Sequence, residues 1–173
     1  KRRPDGSAFP NGENGVNRIN RSTANFSTPP YSTTYIDATI KTYTYNNGTP
    51  TATRGWSPDK YMNIWLCNIS GGILGYAQFP QSPLGGMGCG TPAAATDGVV
   101  FLYNSIGKSS VTGYPAPYNQ GRTATHEVGH YLNLRHIWGD ANCGNDQVSD
   151  TPTQTTANYG KPSYPLYNTC SGV

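Results

Sequence analysis

All three histidines of this 173-residue chain lie within one short segment, HEVGHYLNLRH, which runs from His126 to His136. His126 and His130 are four residues apart, so an α-helix would stack their rings on one face. Glu127 would follow about 100° further round, within reach of a metal-bound water but not forced to bind the metal. Because the chain has no histidine elsewhere, a scattered origin explains this pattern poorly. The segment therefore predicts a helix at about Arg122–Leu134 that carries two metal ligands.

The third histidine requires this helix to end before it. Six residues separate His130 from His136, and a continued helix would turn the His136 ring away. Asn133 lies between them, and asparagine is the best non-glycine residue for the left-handed backbone that ends a helix. We therefore predict that the chain breaks at Asn133 and that His136 swings back to join the other two rings.

Three neutral imidazoles and one water form an open tetrahedral zinc site, which is the catalytic arrangement. We expect Zn²⁺ to lower the pKa of that water and to polarise a substrate carbonyl. Glu127 would take the proton and pass it to a leaving amine. A structural zinc site is the alternative, but it would need a fourth protein ligand and would give Glu127 no role.

The composition is that of a folded domain. Charged residues make up 12% of the chain, and thirteen tyrosines and three tryptophans supply material for a core. We predict one domain over residues 1–173. No run of about 18 apolar residues occurs, so the sequence predicts no membrane span.

Three apolar runs predict strands, which with the helix indicate an α/β fold. They are Tyr61–Asn68, whose density of apolar residues suggests a buried strand, Ile73–Phe79 and Gly98–Tyr103. Pro80 ends the second run or marks it as an edge strand. Thr34–Tyr45 fits a strand or a short helix equally well.

The formal net charge is +3, and five of the twelve basic residues lie in the first 21 positions. No basic stripe continues into the chain, so a solvated terminal segment explains these charges better than a nucleic-acid-binding arm. Four cysteines fit two disulfides and an oxidising compartment, hence a secreted protein. The preferred pairing is Cys67–Cys89 and Cys143–Cys170, and two other pairings remain open.

The segment HEVGHYLNLRHIWGD matches the extended metzincin pattern HExxHxxGxxH. The segments PDKYMNIWLCNISGGILGYAQFP, ATDGVV, GRTATHEVGH and SDTP are similar to the pappalysin-like branch, which includes ulilysin and cytophagalysin-type bacterial enzymes. The resemblance covers about Pro58 to Pro152. It implies a zincin-like α/β (α+β) fold, in which a twisted mixed sheet packs on the active-site helix. The single domain would then have an upper part at about 1–133 and the start of a lower part at about 134–173. It also implies a secreted, bacterial zinc endopeptidase that acts on proteins or peptides and has calcium sites.

The resemblance implies two further sites. An edge strand would bind extended substrates by backbone pairing and would comprise Ile73, Leu74, Gly75, Tyr76 and Ala77. Calcium ligands would come from Asp146, the Val148 carbonyl and Thr151, with Asp150 as a further candidate. A solvated acidic turn explains that loop equally well.

The chain departs from the family pattern at several points. Asn133 replaces the usual glycine, and Lys161 stands where relatives often have a cysteine. The Met-turn and its tyrosine lie further downstream in the family, whereas Met62 and Met87 both precede the zinc motif. We therefore expect an incomplete metzincin domain, truncated at both ends. A non-catalytic zinc-containing binding or structural component is the alternative function, and no pattern specifies an oligomeric state.

Overall fold

The computed structural model describes residues 16, 18–46, 58, 60–80, 93–107, 116–160, 163 and 170. The chain divides into two compact units. The first comprises Lys1–Gln78 with Pro92–Tyr103, and the second comprises Phe79–Thr91 with Asn104–Val173. The predicted single domain with an upper part and a lower part that meet near residue 133 stays a prediction.

The first unit contains a three-stranded mixed sheet in the order β1-β3-β2. Its strands are β1, Ile64–Cys67; β2, Gly75–Ala77; and β3, Val99–Leu102. β3 is parallel to β1 and antiparallel to β2. Gly98 enters β3 at φ 147°, and a side chain there would overlap the Asn63 carbonyl and the Trp65 ring. All three predicted strands are present, and each is shorter than predicted.

The ambiguous segment near the N-terminus is helical. It comprises α1, Thr33–Tyr35; a π-helical segment, Ile36–Lys41; and α2, Thr42–Asn46. The Ser32 side chain caps α1 by accepting a hydrogen bond from the Tyr35 amide, at 3.1 Å. Ile36 and Ile40 are buried in a cluster whose other buried members are Tyr31, Cys67, Ile69 and Val100. Because a π-helical turn is wider than an α-helical one, the α-helical period does not describe this segment.

The predicted burial of β1 is wrong for one of its faces. Ile64 and Leu66 are 49% and 54% exposed, whereas Trp65 and Cys67 pack against or within the cluster. β1 lies at one edge of the three described strands, and its side chains alternate between the two faces of the sheet. Only one of these faces contacts the helical segment.

Cys67 also corrects one predicted disulfide. Cys67 carries a free thiol and so does not form the predicted bridge to Cys89. Cys89 itself lies outside the described residues. The thiol is buried in the apolar cluster, and this burial raises its pKa to about 11. The other predicted bridge, Cys143–Cys170, is present and closes a sequence separation of 27 residues.

A buried ammonium group joins the helical segment to the sheet. Lys41 is 1% exposed, and its Nζ lies 2.8 Å from Asp37 Oδ1 and 3.2 Å from the Thr96 carbonyl oxygen. It also lies 5.1 Å and 4.8 Å from the ring centroids of Trp65 and Tyr76. The Tyr76 hydroxyl donates to Asp37 Oδ1 at 2.8 Å. Strand β2 is thereby anchored through Tyr76 to a charged pair.

The second unit contains α3, Arg122–Tyr131, which is the predicted metal-site helix. Gly121 precedes it with φ 73°, in the left-handed region. Within the described residues, no helix has both the length and the apolar composition needed to cross a membrane.

Candidate metal centre

Helix α3 brings the first two predicted ligands together. His126 and His130 are one turn apart, and their Nε2 atoms lie 3.0 Å from each other. Glu127 follows His126 on the same turn and is 8% exposed, as is His130. The helical spacing therefore gives the geometry that the sequence predicted.

The end of α3 is a Schellman turn with Asn133 in the left-handed position, at φ 74°. The Leu134 amide donates to the Gly129 carbonyl at 2.9 Å, and the Asn133 amide donates to the His130 carbonyl at 2.9 Å. These two bonds satisfy carbonyls that a helix end would otherwise leave without partners. The predicted break at Asn133 is confirmed.

Beyond this turn the chain returns His136 to the helix. Its Nε2 lies 3.0 Å from that of His130 and 3.3 Å from that of His126. Within the described residues, these three form the one group of three or more metal-binding side chains. With Zn–N bonds of about 2.0–2.1 Å, nitrogens at a tetrahedral angle lie about 3.3–3.4 Å apart. The spacing of the three nitrogens is thus close to that of a tetrahedral zinc site.

Hydrogen bonds at the far side of two rings determine where their protons lie. His130 Nδ1 is 2.7 Å from the Leu134 carbonyl oxygen, which can only accept, so this nitrogen carries the proton. His136 Nδ1 is 2.7 Å from Asp140 Oδ1 and donates in the same way. A neutral imidazole with a proton on Nδ1 has a bare lone pair on Nε2. Two such lone pairs 3.0 Å apart repel each other, and a cation between them removes the repulsion. The residues therefore fit a zinc ion.

The surroundings favour the protonation states that zinc binding needs. Partial desolvation lowers the pKa of His126 even though its side chain is exposed at the surface, and the neighbouring imidazoles lower it further. Burial also lowers the pKa of His130, although the hydrogen bond to Leu134 opposes this shift. Both shifts favour the neutral form of the rings, which is the form that binds a metal. Burial raises the pKa of Glu127 to about 7, which is close to the value that suits a general base at neutral pH.

Two aromatic rings pack against the ligands. Trp138 stacks on His136, with centroids 4.2 Å apart and planes 7° from parallel. Phe79 contacts His130 with centroids 5.1 Å apart. The contacts of Trp138, Asp140 and the Leu134 carbonyl with the predicted ligands were not predicted from the sequence. The GD pair after Trp138 is a turn signal, but it does not specify where the side chains point.

The predicted calcium ligands lie within a tight acidic loop. Asp146 is 8% exposed, and its Oδ1 accepts a hydrogen bond from the Val148 amide at 3.0 Å. The Val148 carbonyl accepts one from the Thr151 amide at 3.3 Å. Asp150 is exposed. The turn thus joins Asp146, Val148 and Thr151, and their role as calcium ligands stays a prediction.

The predicted substrate-binding segment, Ile73–Ala77, contains β2, which forms one edge of the three described strands. Leu74 and Gln78 bond to β3 through the Leu74 carbonyl and the Gln78 amide, at 2.8 and 3.1 Å. Because backbone direction alternates along an antiparallel strand, the amides and carbonyls of Ile73, Gly75 and Ala77 point away from β3. The role of this segment in substrate binding stays a prediction.

Sequence comparison identifies relatives of the chain. The model of the M43 peptidase family, described as pregnancy-associated plasma protein-A, matches residues 45–173. An extracellular metalloprotease of Arthroderma otae is 38% identical over 109 residues, which are 58% of this chain and 35% of that protein. One from Podospora anserina is 41% identical over 106 residues, which are 60% of this chain and 33% of that protein.

Solved structures of mirolysin share the fold. Mirolysin in complex with compound 9 is 37% identical, with a TM-score of 0.70 over 99% of this chain and 56% of that one. Mature mirolysin of Tannerella forsythia in complex with a cleaved peptide is 38% identical, with a TM-score of 0.62 over 85% of this chain and 50% of that one. The chain spans about a third of the length of the curated relatives.

These matches confirm the expected fold class, a mixed α/β zincin-like fold, and the predicted resemblance to pappalysin-like metzincins. They agree with the cluster of His126, His130 and His136, which could hold a metal ion. The chain therefore belongs to the M43 peptidase family, the pappalysin family of metzincin metalloproteases.

Proposed function

We propose that this chain is the zinc-binding part of a metalloendopeptidase that hydrolyses peptide bonds in proteins or peptides. The observation that carries the proposal is the convergence of three histidine Nε2 atoms within 3.0–3.3 Å, with Glu127 on the same helical turn as His126. Family membership supports it, as do relatives named extracellular metalloproteases. Because the chain spans about a third of those relatives, the activity of the whole protein is part of the proposal.

The chemistry is divided between the metal and the chain's own residues. Zinc, when bound by His126, His130 and His136, supplies Lewis acidity toward a water and the scissile carbonyl. Glu127 accepts the proton of the attacking water on its carboxylate and transfers it to the nitrogen of the leaving amine. Its burial supports this role, since a carboxyl with a pKa of about 7 can both accept and release a proton at neutral pH.

We also propose that an extended substrate adds a strand to β2. The backbone groups of Ile73, Gly75 and Ala77, which point away from β3, would pair with it, as extended peptides do at exposed sheet edges. The network of Lys41, Asp37 and Tyr76 supports this role because it anchors β2 through the Tyr76 side chain and not through these backbone groups. N-methylation of successive backbone amides of a peptide substrate tests the proposal. Alternate positions are expected to raise KM strongly, and a uniform effect at all positions would contradict strand addition.

We also propose an extracellular location and a bacterial origin for the protein. The names of the relatives support an extracellular protein, and the bridge Cys143–Cys170 is consistent with an oxidising compartment. The bacterial origin expected from the sequence stays a proposal, because the curated relatives named above are fungal whereas mirolysin comes from Tannerella forsythia.

We propose in addition that Asp146, the Val148 carbonyl and Thr151 bind calcium. Clustered oxygen atoms in a tight turn are what this cation prefers, and the near-complete burial of Asp146 supports the assignment. Calcium is expected to raise the thermal unfolding temperature of the wild type and not that of Asp146→Asn. No shift in the wild type would point to a solvated acidic turn, and equal shifts in both proteins would mean that calcium binds elsewhere.

The central experiment compares the wild type, Glu127→Gln and His136→Ala. Casein or a quenched peptide is the substrate, and zinc content is measured on the same samples. We expect zinc-dependent hydrolysis only in the wild type, with about one zinc per chain retained in Glu127→Gln and lost in His136→Ala. Zinc in the wild type without hydrolysis would favour the alternative, a non-catalytic zinc-containing component.

A further inference from the structure

The third ligand lies outside the helix that holds the other two. His126 and His130 are on α3, whereas His136 follows the Schellman turn at Asn133 and belongs to irregular chain. The helix therefore does not determine the position of His136. The contacts that do fix it come from the residues that directly follow it in sequence.

Asp140 contacts the outer nitrogen of this ring. Its Oδ1 lies 2.7 Å from His136 Nδ1, and the two side chains are 31% and 24% exposed. A carboxylate is a stronger acceptor than a carbonyl, and it holds the Nδ1–H tautomer with Nε2 bare. Hydrogen bonds of this kind orient metal-binding histidines and increase their basicity.

The face of the same ring is covered by Trp138. The two rings are nearly parallel, at 7°, with centroids 4.2 Å apart. Stacking resists tilting of the imidazole out of the plane parallel to the indole. The Asp140 bond selects between the two orientations related by a half-turn about χ2, because only one of them places Nδ1 on the carboxylate. Together the two contacts leave the ring one orientation, in which Nε2 points to the other ligands.

The backbone that places Trp138 and Asp140 is itself tightly determined. Gly139 and Asp140 both have left-handed φ values, 57° and 55°. A side chain on Gly139 would overlap the backbone of Asn145 and Gly144. The next residues form turns, and Cys143 ties them to Cys170. A left-handed backbone is less favourable for Asp140 than for glycine, so the surrounding contacts help to stabilise it.

We infer that Asp140 and Trp138 are positioning residues that hold His136 ready to bind zinc, and that Asp140 sets the zinc affinity of the centre. This inference rests on the proposed zinc site, but its claim about the His136 ring applies to the metal-free chain as well. Neither residue contacts the substrate or the metal in this role.

The first test measures the His136 tautomer in the metal-free, ¹⁵N-labelled chain by long-range ¹H–¹⁵N correlation. The wild type is expected to show a proton on Nδ1 of His136. Asp140→Ala is expected to lose this preference, whereas Asp140→Asn keeps it because its amide oxygen still accepts. A wild-type His136 with its proton on Nε2 would overturn the inference, whether or not the chain binds zinc.

The second test measures the zinc dissociation constant by competition with a chromophoric chelator. Asp140→Ala is expected to weaken binding about 10- to 100-fold, and Asp140→Asn less than that. Trp138→Ala is expected to weaken it about 2- to 10-fold, and Trp138→Phe less, because a ring remains to stack. Asp37→Asn serves as the control, since it removes a hydrogen-bonded carboxylate from the other unit.

The two tests separate failure of the inference from failure of the proposed function. A wild type without zinc affinity would contradict the proposed function, and the tautomer measurement would still decide whether Asp140 orients His136. An Asp140→Ala variant that binds zinc within twofold of the wild type would overturn the claim that Asp140 sets the affinity. If this variant loses its fold, Asp140→Asn decides, because its affinity must still fall below that of the wild type.

Discussion

The carbonyl oxygen of Leu134 lies 2.7 Å from Nδ1 of His130, a proposed zinc ligand one turn before it. The Schellman turn that ends α3 therefore also fixes the tautomer of a ligand on that helix. The left-handed residue Asn133 is what allows Leu134 to turn back. The same turn thus ends the helix and fixes the tautomer of His130, so a change at Asn133 should affect both.

Asn133→Ala is expected to lower the free energy of unfolding by about 1 kcal/mol, because alanine has neither the local side-chain hydrogen bonding that lets asparagine adopt the left-handed backbone nor the absence of a Cβ that lets glycine adopt it. Zinc binding should weaken as well, since the Leu134 carbonyl is displaced. Asn133→Gly is the matched control and should retain both properties. Thermal unfolding in chelator and zinc titration measure the two effects. Equal behaviour of the alanine and glycine variants would contradict this account of the turn.

Glu127→Gln should change how stability depends on pH in the metal-free chain. The pKa of Glu127 is raised from 4.5 to about 7 on folding, so between these values the folded chain binds more protons than the unfolded chain. The contribution of Glu127 to stability therefore falls as pH rises from 4.5 to 7. The glutamine variant lacks this loss, while histidine contributions cancel in the comparison. Denaturant unfolding at several pH values should show the free energy of unfolding of the variant rising relative to that of the wild type up to about pH 7. A difference between the two proteins that does not change with pH would refute the pKa shift.

Removal of the disulfide by the double substitution Cys143→Ser and Cys170→Ser should destabilise the second unit. The sequence separation of 27 residues corresponds to about 3.5 kcal/mol of lost loop-closure entropy in the unfolded chain. Zinc affinity should fall too, since the loop that places Asp140 is tied by this bridge. Chemical unfolding with and without zinc tests both expectations. Retention of full stability would mean that the bridge constrains neither state.

The state of Cys67 can be tested chemically. Alkylation of the unfolded but unreduced chain should modify Cys67 and leave Cys143 and Cys170 joined. Alkylation of the folded chain should be slow, because the thiol is buried and its pKa is raised to about 11. Peptide mass spectrometry reads out both results. A linked peptide containing Cys67 and Cys89 would restore the bridge first expected from the sequence.

Asp37→Asn should destabilise the first unit without changing zinc affinity. The substitution leaves the buried Lys41 ammonium without its carboxylate, at an expected cost of about 1–3 kcal/mol, since Asp37 itself is partly exposed. Lys41→Met should cost less, because it removes the charge that needs a partner. Unfolding curves and zinc titrations of the two variants test this. A larger loss in Lys41→Met would mean that its contacts with Trp65 and Tyr76 dominate.

The convergence of the three histidines could be predicted because helical spacing alone brings His126 and His130 together, and because the left-handed backbone of Asn133 depends on residue type. Asp140 and Trp138 could not, because the direction of their side chains depends on the backbone angles of one turn. The helical structure of residues 33–46 could not be predicted either, because the spacing of buried residues in a π-helical segment matches neither the strand period nor the α-helical period. The partners of Cys67 depend on packing of β1 against that helix, which spacing in sequence does not contain.

The most direct test of the central claim is zinc analysis combined with X-ray absorption spectroscopy of the purified protein. The account predicts about one zinc per chain, with three imidazole nitrogens and one oxygen at about 2.0–2.1 Å, and loss of this signal in His136→Ala. Absence of zinc, a sulfur ligand, or a signal that survives in His136→Ala would contradict a catalytic centre built from these three histidines.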